Sequence, residues 1–152
     1  MIANTNAAEQ TSELLIDVIR ELLESLQIVQ RSCTIEDIVA YRKASIQVLL
    51  KISERLLAPL AAMHPVKSLD PPKPFTRQPM VTDVETAKRV SEIMFEISKR
   101  LSESVDVVRS VAPPEEVKAY ALGIGHVLTD IMYEVLNPVF ARNPSIEPKE
   151  WK

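Results

Sequence analysis

Only two glycines, Gly123 and Gly125, and one cysteine, Cys33, occur in the 152 residues. With so little glycine there is no Gly-rich turn ahead of a helix whose backbone amides could cradle a phosphate. A lone thiol excludes an internal disulfide, a Cys-based metal cage and Cys-x-x-Cys-His haem attachment. An excess of positive charge is missing too. Eighteen Lys and Arg face 21 Asp and Glu, a net of −3, and no window gathers the cations into a stripe that could follow a nucleic-acid backbone. Uncharged apolar runs such as Ala119 to Gly125 are far short of the roughly 20 residues a membrane span needs. Residues Met1 to Glu9 have neither a basic start nor an apolar segment, so no signal peptide is read and the expected location is the cytoplasm. The expected partners therefore include neither nucleic acid nor membrane, and no cofactor is implied.

What is present is helix. The apolar fraction of 46% suits one core, and apolar residues recur every three or four positions through four long segments, while the alternation that marks strands is absent. The fold class is all-α, a four-helix bundle. The spacing predicts a first helix from about Ala8 to Ser32, burying Leu15, Val18, Leu22, Leu26 and Val29. Thr34 opens a second as a capping residue, with Ile38, Tyr41, Val48, Ile52 and Leu56 inward. Pro65, Pro71, Pro72, Pro74 and Pro79 then remove N–H donors and force extended backbone, so residues 64–81 read as a crossover linker that Val66, Leu69 and Phe75 could pin to the bundle. Thr82-Asp83-Val84-Glu85 has the pattern of a capping box and starts a third helix with Met94, Ile97, Leu101, Val105 and Val108 on its core face. Pro113 and Pro114 begin a fourth, which runs to about Arg142 with a bend expected at Pro138.

Comparing each residue with the one 79 positions later aligns the two halves without a gap. Ser12 to Pro65 against Ser91 to Pro144 gives 16 identities in 54 positions, where composition alone gives roughly three or four. Ala40-Tyr41 matches Ala119-Tyr120, Val48-Leu49 matches Val127-Leu128, and Pro59 matches Pro138. The single domain, 1–152, therefore divides into one hairpin repeat, 1–63, the linker, 64–81, a second repeat, 82–142, and a tail, 143–152. One hairpin cannot cover its own apolar face, and a tandem duplicate packed on it can.

Chemistry is sparse. The histidines are not a matched pair, since His64 falls opposite Asn143 and His126 opposite Gln47, which excludes the symmetric Glu-x-x-His pattern of a di-iron bundle. No Ser-His-Asp or Cys-His set stands on plausible elements. His126, Asp130 and Glu134 lie four residues apart on one helix face, and with Tyr41 and Tyr120 the pair His126 and Asp130 could line a pocket for a small molecule or metal. Small residues at Ala40, Ala44, Ala119 and Gly123, and at Ala121 and Gly125, permit close helix approach. From Val117 to Phe140 only Lys118, Asp130 and Glu134 carry charge, an apolar arc wider than one core requires. That arc implies a second covered face, supplied either by the tail with Ile146 and Trp151 or by a homodimer or protein partner across Leu122, Ile124, Val139 and Phe140. The leading expectation is a non-enzymatic interaction or self-association protein. The alternative is a small-molecule- or metal-binding bundle, or an enzyme, that uses the interior around His126.

Overall fold

The computed structural model describes residues 5–58, 60 and 80–151. Every regular element among them is helical. α1 spans Thr5–Ser32 and α2 spans Ile35–Ile52, the latter continuing as a π-helical stretch, Ser53–Leu57. α3 spans Val84–Val111. α4, Pro114–Asp130, continues through a second π-helical stretch, Ile131–Leu136, into α5, Asn137–Arg142. Short 3₁₀ turns, Pro144–Ile146 and Lys149–Trp151, close the chain.

Local chemistry explains the ends. Thr34 caps α2, its hydroxyl accepting from the Asp37 amide at 3.3 Å, which satisfies one donor left over by the first turn. At α3 the cap is not Thr82 but the next residue: Asp83 accepts from the Thr86 amide at 2.8 Å. Thr82 instead turns toward α2, donating both its hydroxyl and its amide to Asp37, and the helix starts one residue later than the capping box predicts. The second π-helical stretch ends two positions ahead of Pro138, which lies in α5. A proline within a helix lacks the donor that the carbonyl one turn back requires, and a widened turn re-registers the ladder.

The core runs through all four helices. Leu15, Val18, Leu22 and Val29 of α1, Tyr41, Val48, Ile52 and Leu56 from α2 onward, and Met94, Ile97, Leu101 and Val108 of α3 are buried as the periodicity predicts. Leu26, Ile38 and Val105 sit at its margin, half-buried. The broad apolar arc after Val117 is taken up within the chain: Ile124, Val127, Ile131, Val135, Leu136, Val139 and Phe140 are all buried, and Phe140 stacks on Phe95 with ring centroids 6.3 Å apart.

α1 and α2 meet through Ser25 and Tyr41, α3 and α4 through Ser104 and Tyr120. α1 crosses α3 at an ion pair between Glu21 and Arg100. The later residues Ile28 and Arg31 share a groove with the earlier Thr86 and Asp83, so these two helices run antiparallel. α2 and α4 are antiparallel as well, since Gly123 lies under Leu56 and the Arg55 carbonyl, while Asp37 and Asn143, at opposite ends in sequence, both bond Val81. The four directions are thus up, down, down, up. The linker expected over 64–81 lies outside the described residues up to 79, including Val66, Leu69 and Phe75. Its last two positions belong to the core instead, with Met80 and Val81 buried. No helix among the described residues is long and apolar enough to cross a membrane.

Candidate functional site

The two tyrosines singled out by the sequence are wholly buried. Tyr41 donates its hydroxyl to Ser25 Oγ at 2.8 Å, and Ser25 in turn donates to the Leu22 carbonyl at 2.6 Å. The same arrangement recurs with Tyr120 and Ser104 Oγ 2.9 Å apart and Ser104 bonded to the Leu101 carbonyl at 2.6 Å. Burial pushes both phenols up to about 12 against the opposing pull of the serine bonds, so at neutral pH each is a neutral, spent donor. His126, by contrast, is exposed, while Asp130 is buried. Partial burial and the Arg55 and Lys51 cations hold the imidazole below its ordinary value, with Asp130 pulling the other way. The four residues are divided between interior and surface. Among the described residues no three His, Cys, Asp or Glu side chains converge as a metal site would require.

The most elaborate polar constellation escaped the sequence reading. Asp37 Oδ1 accepts from the Val81 amide at 3.0 Å, and Oδ2 accepts from the Thr82 amide at 2.7 Å and from the Thr82 hydroxyl. Asn143 Nδ2 donates to the Val81 carbonyl at 2.7 Å and to the Val139 carbonyl at 3.0 Å, and the Met80 amide reaches the Pro138 carbonyl at 3.3 Å. Val81 is held at φ 64°, a conformation that costs a β-branched residue roughly 1–3 kcal/mol. Burial alone would raise the Asp37 carboxyl, but the Thr82 and Val81 donors and Arg142 hold it below the usual range. Cys33 nearby is pushed up, by burial first and then by the carboxylates of Asp37 and Asp83, which leaves a poor nucleophile. Every donor in this cluster points at another part of the chain. It is a clasp joining α2, the start of α3 and the end of α5.

Between α1 and α3 lies an open groove of about 960 Å³ whose walls carry Glu21, Glu24, Glu92 and Glu96 with Lys88 and Arg89. Its hydroxyls are Ser32 and Thr86, and no histidine lines it.

Of the four helix-four residues expected at an interface, Ile124, Val139 and Phe140 are in the core and Leu122 alone is exposed, at 64%. Val84, Val107, Val111 and Tyr133 are exposed as well, but the longest row of exposed apolar side chains is on α2. Ile35, Val39, Ile46 and Leu50 form one outward stripe along α2, with Ile35 and Val39 as much as 76% and 61% exposed. Ile16 and Leu23, seven residues apart and likewise exposed on α1, lie on the side turned from the α3 contact, because Leu23 is about 200° around the helix from Glu21. At the positions 79 later stand Phe95, which is half-buried, Ser102, Pro114, Lys118, Gly125 and Thr129. The sequence reading missed this stripe because its spacing is indistinguishable from that of a core face. Comparison with protein-family models, curated proteins and solved structures finds no match to this chain.

Proposed function

We propose that this protein is a non-enzymatic interaction module: a four-helix bundle made by tandem duplication of a helical hairpin, whose first half docks a protein partner on the outer face of α1 and α2. The duplication is supported by the Ser25–Tyr41 and Ser104–Tyr120 contacts, which repeat 79 residues apart with the same bond to the preceding turn. The pairing of Glu21 with Arg100, its own counterpart, supports it again, since a local two-fold axis brings corresponding residues together.

The observation that carries the function is the asymmetry between the halves. Six large apolar side chains are exposed on the first half, four of them in one row along α2, and small, polar, charged or half-buried residues stand at all six counterparts; the five exposed on the second half, Val84, Val107, Val111, Leu122 and Tyr133, form no such row. A bundle that only had to fold would gain nothing from leaving this area open to water, whereas contiguous exposed apolar surface is characteristic of docking sites. The interior supports this reading rather than a catalytic one, because both buried phenols are committed to serines.

The test is a photo-reactive side chain placed at Ile46 and, separately, at its counterpart Gly125, with cross-linking in cells that express the chain naturally. The expected result is a discrete intermolecular adduct from position 46 and none from 125. Equal adducts from both, or none from position 46, would overturn the reading.

A further inference from the structure

Resting on that reading, we infer that the occupant of the α2 stripe is a second copy of this chain, docked antiparallel across a two-fold axis that passes between Arg42 and Lys43. The stripe residues are 35, 39, 46 and 50, so their spacings are 4, 7 and 4. That pattern is its own mirror image about the midpoint of 42 and 43. An antiparallel copy of α2 across that axis sets Ile35 against Leu50 of the second chain and Val39 against Ile46, and does so twice. Self-complementarity of this kind is what an isologous interface demands. A partner of unrelated sequence imposes no such symmetry.

The area agrees. Counted together with Ile16 and Leu23 of α1, the exposed side chains leave on the order of 600 Å² of apolar surface open per copy, close to the roughly 800 Å² each partner contributes to a stable interface. The half-buried Leu49 and the aliphatic stems of Arg42 and Lys43 supply further contact area. The assembly also closes. The counterparts in the second half, Pro114, Lys118, Gly125 and Thr129, offer no equivalent stripe, and a contact of the α2 stripe with itself closes by symmetry, so the product is a dimer rather than a filament.

Charge gives the dimer a signature. Arg42 and Lys43 are both exposed, and the two-fold axis brings both pairs close together, with their heads at the rim. Repulsion between the two Arg42 guanidiniums that approach across the axis is screened by salt, so association strengthens as ionic strength rises. Arg42→Glu reverses the effect by setting a carboxylate opposite Lys43 of the second copy on each side of the axis. Two such rim pairs are worth roughly a threefold to tenfold tighter dimer at low salt, and added salt then weakens it.

Sedimentation equilibrium of the full-length chain tests the proposal. The expected results are a wild-type dimer that tightens with salt, a monomeric Val39→Lys/Leu50→Thr double variant, and a tighter, salt-weakened Arg42→Glu dimer. The double variant borrows the residues found 79 positions later and alters only exposed sites, so its far-UV circular dichroism should match wild type, while its melting temperature loses the rise with protein concentration that a dimer shows. A monomeric wild type at high micromolar concentration, or a dimer that survives Val39→Lys/Leu50→Thr, would overturn the second copy as occupant. The cross-link from Ile46 separates that failure from failure of the docking face. An adduct at twice the chain mass supports both readings, and one of any other intermolecular mass removes the second copy and keeps the face. An adduct within the chain to residues 61–79 overturns both.

Discussion

Replacing Asp37 with Asn removes the charge from the clasp and changes its shape hardly at all. The carboxylate accepts three hydrogen bonds, from the amides of Val81 and Thr82 and from the Thr82 hydroxyl, while the side chain is only 7% exposed. Bonds to a charged group contribute about 1.5–3 kcal/mol each. Asparagine retains one acceptor oxygen, but its NH₂ faces a donor. One amide, either that of buried Val81 or that of Thr82, must lose its partner. The expected destabilisation of Asp37→Asn is about 2–4 kcal/mol, a large share of the roughly 5–15 kcal/mol available to a domain. Urea denaturation at neutral pH, followed by far-UV circular dichroism, measures it as a lower midpoint with an unchanged slope. The pH dependence follows in sign. The folded carboxyl titrates below the ordinary value, so its contribution is complete above about pH 4 and is lost as pH falls through the folded-state value. The stability gap between wild type and Asp37→Asn should therefore narrow under acid. A gap below about 0.5 kcal/mol at neutral pH, within the range of ordinary surface substitutions, would refute the account of the clasp. So would a gap that widens in acid.

Tyr41→Phe and Tyr120→Phe should each cost about 1 kcal/mol, and nearly the same amount, because each deletes one bond to a serine that keeps its own carbonyl acceptor. Thermal melts that differ between the two by several-fold would argue against equivalent environments. The two glycines should respond oppositely: a Cβ on Gly125 meets nothing within 4 Å, whereas one on Gly123 would approach Leu56 Cδ2 to 2.7 Å. Gly125→Ala should stabilise by about 0.5–1 kcal/mol through helix propensity, and Gly123→Leu should destabilise by about 1–3 kcal/mol through overpacking between α2 and α4. Differential scanning calorimetry of the pair checks both signs.

Helix was readable in this chain because apolar periodicity and capping chemistry are local properties. Leu15, Leu22 and Val29, spaced by sevens, and Thr34 with its hydroxyl three residues ahead of the Asp37 amide act within a few turns of backbone, and no tertiary partner is needed to recognise them. The same locality explains the failures. Thr82 fits the pattern of a cap, but its hydroxyl and amide turn to Asp37, 45 residues away in sequence, and a long-range acceptor leaves no mark on the local pattern. Met80 and Val81 follow a run of prolines and read as linker, yet the clasp draws them into the core.

The apolar arc beyond Val117 announced a buried face without saying what would bury it. Only the tertiary arrangement decided that α2, α3 and the residues around Phe95 cover it, which moved Ile124, Val139 and Phe140 from surface to core. The stripe on α2 shows the converse. Ile35, Val39, Ile46 and Leu50 recur at helical spacing as the core residues Tyr41, Val48 and Ile52 do, and both sets carry the same one-dimensional signal. Periodicity defines a face by itself. Whether that face meets another helix of the chain or water depends on how four helices share one interior, and that belongs to the packing alone.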